Sequence, residues 1–344
     1  MSRDPFVDAV RAVAMTGVVA GHWLVTAVVV VPGGLDVDSP LRHHPQLVPL
    51  SWLLQTLGLF FFAGGFGAAV SRGRSGESYG RWFGTRLRRL AVAVAVVLAA
   101  WAAVLGIGAA AGMPGDTVST AAGLVTSPLW FLAVYLVLLA ATGPLRRLHA
   151  ACGVWAAAIP AALTVAAELG PDWAGQATVV LAWWVPWQLG VAAAEGWRPG
   201  RVAGFSLAAC GAAVFAGLVL LAGFPASAVG GTGEPRSNLA PPSPAVVALA
   251  LAQLGVVLLA APALRGLPAR AVGWINRRAL PIFLLHQSAL VAVTLLAAAV
   301  AVLPGLHTVP DTGAWVALRL AWLPVFAAVL WLLLGGLSRV LRST

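Results

Sequence analysis

The sequence predicts an all-α fold: a polytopic integral membrane helical bundle of about ten transmembrane helices, with both termini cytoplasmic. Three observations carry that prediction. The 344 residues are 60% hydrophobic and only 9% charged, with a mean hydropathy of +0.91, whereas a soluble domain carries about 25% charged residues. No soluble core could bury so much apolar surface, so the lipid bilayer must act as solvent. Apolar runs near the roughly 20 residues needed to cross the hydrocarbon recur along the whole chain. The arginines fall between those runs, mostly on one side.

Ten runs qualify: 9–31, 48–70, 90–112, 121–142, 153–168, 177–195, 202–224, 245–264, 279–303 and 314–337. Each is read as a helix, because a chain in lipid must satisfy its backbone groups internally. The alternating pattern of a membrane barrel is absent. The first run continues to Val31 with no small-residue cleavage site, so it reads as an uncleaved span. The fifth is the shortest. Between the seventh and eighth lies 225–244, PASAVGGTGEPRSNLAPPSP. Its Gly and Pro content excludes a helix. It reads as a flexible connector or as a loop that carries binding residues.

All 21 basic residues are arginine. Eighteen lie in one alternate set of connecting segments and span ends; the opposite set holds only Arg42, Arg236 and Arg319. The positive-inside rule makes the richer set cytoplasmic, with both termini among it. The formal charge of +10 therefore reads as a topology signal, and no nucleic-acid partner is predicted. The tryptophans, Trp23 and Trp101 among them, read mostly as belt or packing residues. Cys152 and Cys210 have no metal spacing and predict no disulfide.

Polar groups inside the spans are few. A charge there costs about 2.5–3.5 kcal/mol on insertion scales, which makes each a functional candidate. In VDAVRAVAMTGVVAGHWL, residues 7–24, Arg11 and His22 are eleven residues apart. That spacing turns a helix through about 1100° and puts both on one stripe, about 16 Å apart along the axis. Asp8, one turn before Arg11, is placed to pair with it. With the N-terminus inside, Arg11 lies near the cytoplasmic surface and His22 near mid-membrane.

Each candidate has a plain alternative. Arg11 reads as a functional cation or a snorkelling anchor. His22 reads as a proton carrier or a packing histidine. His286, in LPIFLLHQ, is functional or a helix contact beside Gln287. Arg319 is functional or snorkels outward. His43, His44, His149 and His307 read as solvated surface, and no set has metal-site spacing. Arg86, Arg88 and Arg89 open the third span in RLRRLAVAV. They serve as a topology signal or as a phosphate clamp, since arginine pairs bidentately with phosphate.

Five short motifs occur in order: Arg11-x10-His22, LFFFAGGF at 59–66, RLRRL at 86–90, LWFLAVYL at 129–136 and IFLLHQ at 282–287. The ordered set resembles the acyltransferase family 3 membrane proteins, ten-span bacterial acyltransferases, over almost the whole chain. The stretch GTGEPRSNLAPPSP also resembles a loop of one bacterial subgroup. The resemblance implies a single transmembrane domain over 1–344 in the cell membrane, with no fused extracytoplasmic domain. It implies acyl transfer, commonly of acetyl, from cytoplasmic acyl-CoA to a hydroxyl of a glycan, lipid or metabolite. His22 matches the essential histidine and Arg11 its paired arginine. Arg86 and Arg89 match conserved arginines of the third span. Trp130, Phe131 and His286 match later motif positions. Two positions depart from the pattern. The arginine motif continues as LAVAV without its usual proline, and Trp187 stands where subgroup members often carry histidine.

These matches lead to a division of roles. His22 is the base or nucleophile, with Arg11 its catalytic partner. Arg86, Arg89 and His286 are assigned to acyl-CoA. Asp8, Trp130, Phe131, Glu234, Ser237, Asn238 and Arg319 are substrate or structural candidates. Acyl-CoA is a donor co-substrate, and no bound cofactor or metal is expected. The partners are the lipid bilayer, the donor, the hydroxyl acceptor and, where delivery needs one, a separate extracytoplasmic protein. The rival readings are a multi-span transporter or flippase and a non-catalytic scaffold of a glycan assembly complex.

Overall fold

The structure, a computed structural model, describes residues 4–343, with side chains to Val340. Arg3 and the side chain of Arg342, both counted in the arginine bias, lie outside the described residues. The chain is a succession of helices. We label the principal ones α1 (Pro5–Val25), α2 (Leu57–Arg74), α3 (Tyr79–Ala110), α4 (Gly115–Thr126), α5 (Leu129–Ala140), α6 (Thr142–Cys152), α7 (Ala158–Glu168), α8 (Thr178–Ala194), α9 (Arg201–Leu221), α10 (Pro244–Leu259), α11 (Ala279–Ala298) and α12 (Gly313–Ser343). Among the described residues, eight helical stretches are long and apolar enough to cross a membrane. Helix α1, which carries Asp8, Arg11 and His22, and α10, of 16 residues, occupy the other two predicted positions.

The first predicted span is corrected. The first helix ends at Val25 rather than Val31, and the chain turns into an antiparallel hairpin, β1 (Ala27–Val31) with β2 (Gly34–Asp38). The run of four valines suits an extended backbone, because β-branched side chains pack well on a pleated surface. Pro32 and Gly33 form the connection, and Gly33 supplies the positive φ (102°) that such a turn requires. The ninth predicted span is likewise shortened, with α11 ending at Ala298.

The chain divides into two compact units. The first comprises Met1–Val18, Val48–Gly84 and Leu132–Arg277. Lipid tails are as apolar as leucine, so its helices gain little from hydrophobic association and depend on close packing. Glycine permits that packing. A Cβ on Gly65 of α2 would lie 2.1 Å from the carbonyl oxygen of Trp187 in α8, and one on Gly190 would lie 2.0 Å from that of Phe62. The two backbones therefore touch. The glycine pair of LFFFAGGF is explained by this contact, with Trp187 fully buried against Gly64 and Tyr135. Val10 and Ala14 of α1 join Phe62, Leu189 and Leu254 in the core beside it.

The stretch 225–243 is irregular, as predicted, yet anchored. Asn238 is fully buried; its amide donates to the Pro225 and Ser227 carbonyls and accepts from Ser243. Arg236 pairs with Glu168 and covers the ring of Phe224.

The second unit comprises Val19–Leu47, Thr85–Phe131 and Arg278–Thr344. Here α11 packs on α12, and α4 closes on the hairpin, where Thr120 donates to the Leu35 carbonyl at 2.8 Å. His307 is not solvated, contrary to the sequence reading. It is buried, with Nδ1 accepting from the Leu303 amide and Nε2 donating to the Thr294 carbonyl, while its own carbonyl accepts from Val30. The segment after α11 has no helical partners for its amides, and the imidazole takes their place.

Gly65→Leu is expected to drive α2 from α8 and lower the unfolding temperature of the detergent-solubilised protein sharply, since overpacking costs about 1–3 kcal/mol or more. Gly217→Ala, where a Cβ meets nothing within 4 Å, should leave that temperature unchanged or slightly raised.

Candidate active site

His22 lies in the last turn of α1. A helix end leaves carbonyls without amide partners, and in lipid each such group must be satisfied by protein. Arg319 of α12 does this. Its Nε donates to the Trp23 carbonyl at 2.7 Å, Nη2 to the Thr26 carbonyl and Nη1 to the Gly305 carbonyl at 3.2 Å. The guanidinium is buried, with the Phe326 ring 4.9 Å and the Trp315 ring 5.4 Å from its carbon. It does not snorkel outward. Its charge is placed where the negative end of the α1 dipole favours a cation, and no carboxylate pairs with it among the described residues.

The adjoining segment of α11, His286-Gln287-Ser288, is held residue by residue. Trp23 Nε1 donates to the His286 carbonyl at 2.8 Å, and Trp101 Nε1 of α3 donates to Ser288 Oγ at 2.8 Å. Gln287 Nε2 lies 3.3 Å from His22 Nδ1. The His22 and His286 rings are 4.9 Å apart between centroids and tilted by 52°. Phe283 stacks beside His286 at 5.8 Å and Phe131 beside Phe283 at 4.8 Å. Residues from the first, fourth and fifth motifs are therefore in one cluster.

The two histidines differ in what they offer. His286 has no exposed surface; its Nδ1 donates to the Phe283 carbonyl at 2.7 Å, and its buried Nε2 has no partner among the described residues. His22 is only partly buried. Its Nδ1 faces Gln287, while Nε2 makes no hydrogen bond among the described residues and is not sealed off. An imidazole held at one nitrogen and open at the other can take or pass a proton, or attack an electrophile.

The remaining predicted residues have local roles. Arg11 donates from Nη2 to the Ala63 carbonyl at 3.1 Å, in space left by Gly67, where a Cβ would lie 2.8 Å from Nη2. The expected Asp8–Arg11 ion pair is absent among the described residues, because Arg11 turns toward α2; the Asp8 carbonyl accepts from Asn276 instead. Arg86 is half-buried, and Arg89 is exposed with no hydrogen bond or ion pair among the described residues. Trp130 is partly exposed. Glu234 is exposed, and Ser237 Oγ accepts from the Leu239 amide. Among the described residues no three His, Cys, Asp or Glu side chains come together as a metal would need.

Sequence reasoning passed over Gln287, Trp101 and Ser288 as members of the cluster. An uncharged amide beside His286 within an apolar run was the available signal, since buried amides in membranes seek partners on other helices.

A family model described as an acyltransferase domain matches residues 4–338. Neither the curated proteins nor the solved structures gave a match.

Arg319→Lys keeps the charge and loses the planar fork. It is expected to destabilise the solubilised protein by about 1–3 kcal/mol, and Arg319→Leu by more, because carbonyls are left buried and unpaired. Thermal unfolding in detergent checks both.

Proposed function

The chain belongs to the acyltransferase domain family, and on that premise we propose that it moves an acyl group, acetyl as first candidate, from cytoplasmic acyl-CoA to a hydroxyl of a glycan, lipid or secreted metabolite. The observation that carries the reading is His22, with one imidazole nitrogen engaged by Gln287 and the other open. As a base, Nε2 takes the hydroxyl proton while the hydroxyl oxygen bonds to the thioester carbon. The carbon–sulfur bond then breaks, and the imidazolium returns the proton to the leaving thiolate to give the free coenzyme thiol. As a nucleophile, the same Nε2 bonds to the thioester carbon and expels the thiolate; the hydroxyl oxygen then bonds to that carbon and displaces the imidazole, and the hydroxyl proton ends on the thiolate to give the free coenzyme thiol. Both routes use one atom.

Arg86 and Arg89 bind the coenzyme phosphates in this proposal, as arginine forks do. Helix α3 supports that assignment. It carries Arg89 about a third of the way along and, twelve residues on, Trp101, which is bonded to Ser288 beside Gln287. Twelve helical residues span about 18 Å. A donor gripped at the arginines would need an extended arm of that order to present its thioester at His22, and the pantetheine arm of coenzyme A is such a group. The arginine bias supports ten spans in the cell membrane with termini and donor on the cytoplasmic side; the acceptor then enters from outside.

In proteoliposomes given radiolabelled acetyl-CoA and an extract of the host envelope, His22→Ala is expected to lose label transfer by at least about 100-fold. Undiminished transfer by the folded variant would remove His22 from the mechanism. Arg86→Ala and Arg89→Ala should each weaken acetyl-CoA binding by about tenfold, the loss of one charge-assisted contact, as read by isothermal titration. Unchanged affinity would leave both as topology signals only.

A further inference from the structure

Gln287 carries an unexplained atom. Its side chain is 1% exposed, and its buried Oε1 has no hydrogen-bond partner among the described residues. Its Nε2 faces His22 Nδ1 at 3.3 Å. An amide nitrogen can only donate, so in this orientation His22 Nδ1 accepts and the ring proton sits on Nε2. The open nitrogen is then a donor, with no lone pair for proton abstraction or attack on a thioester. The two ends of an amide are nearly equal in size, and a half-turn exchanges them without moving the helix. After that turn Oε1 accepts from His22 Nδ1–H, and the lone pair is on the open Nε2.

From this we propose that Gln287 is a positioning residue whose amide decides the tautomer of His22, and that the working orientation presents Oε1 to Nδ1–H. The inference rests on the reading of His22 as base or nucleophile. Three observations support it beyond the contact itself. The residues on both sides of Gln287 are held, His286 at its carbonyl by Trp23 and Ser288 at its hydroxyl by Trp101, so the amide can turn while the helix around it stays in place. His286, the other titratable group against His22, has its own Nδ1 committed to Phe283. Its Nε2 makes no hydrogen bond among the described residues, so His22 Nδ1 is engaged by Gln287 and not by His286. An Oε1 facing Nδ1–H also favours the imidazolium that forms when Nε2 takes a proton, as an oriented acceptor does in hydrolytic triads.

The test reads the tautomer directly. The full-length protein, labelled with ¹⁵N-histidine and reconstituted in lipid, is measured by solid-state NMR, with His22 assigned by the signals missing from His22→Ala. The wild type is expected to carry its neutral-ring proton on Nδ1, and Gln287→Met to move it to Nε2. A wild-type ring protonated on Nε2, or a tautomer unaffected by Gln287→Met, overturns the proposal. Should Gln287→Met not fold, Gln287→Glu decides: an acceptor oxygen is kept, so Nδ1 should stay protonated, and loss of that proton overturns it. In acetyl-CoA turnover read as free thiol, Gln287→Met should lower kcat at least about tenfold, part of the range that acid–base groups supply, with KM for acetyl-CoA unchanged; an unchanged kcat overturns the proposal. The tautomer is measurable whether or not His22 carries transfer, and His22→Ala decides that separate question.

Discussion

A single buried guanidinium organises the second unit. Arg319 satisfies two carbonyls at the end of α1 and one in the segment after α11. In water these groups would be solvated at no cost. In lipid each would cost several kcal/mol if left alone. Because the cap is a planar fork rather than a point charge, it sets an angle as well as a distance. The α1 terminus is therefore fixed within a turn of His22, and the chain is released into the hairpin immediately after.

The same constraint explains the tryptophans and the serine around the site. Trp23 and Trp101 each deliver an indole N–H to an acceptor on α11. Their effect is to immobilise three consecutive residues of that helix. Against so much satisfaction, the few buried atoms with no partner stand out. Two of them, His286 Nε2 and Gln287 Oε1, lie in the cluster around His22. Leaving a buried polar atom unpaired costs free energy, and these two adjoin the imidazole that is open at Nε2.

Packing elsewhere obeys a different rule. In the first unit small residues let backbones touch, at Gly65 with Gly190 and again where Gly211 and Gly255 bring α9 onto α10. Trp187 is the large residue that such close approach encloses. Its ring fills the space over Gly64 and Tyr135. It is fully buried and its Nε1 has no partner, so this position contributes volume.

By itself the sequence determined that the protein is a helical membrane bundle, because charge content and run length are set by the bilayer and not by contacts. It also singled out His22, His286 and Arg319, since a polar side chain in an apolar run is visible without a structure. It misread where α1 ends, because a valine run after a helix suits lipid and a strand equally until a turn partner is known. It misplaced His307, whose burial depends on backbone groups of Thr294 and Leu303 that only the folded segment brings to its ring. It did not see Gln287 as the partner of His22, since the two are 265 residues apart and only helix packing brings them together. Which nitrogen of His22 is held, and which is open, was decided by tertiary structure alone. That choice depends on the direction of a neighbouring amide, which no spacing along the chain encodes.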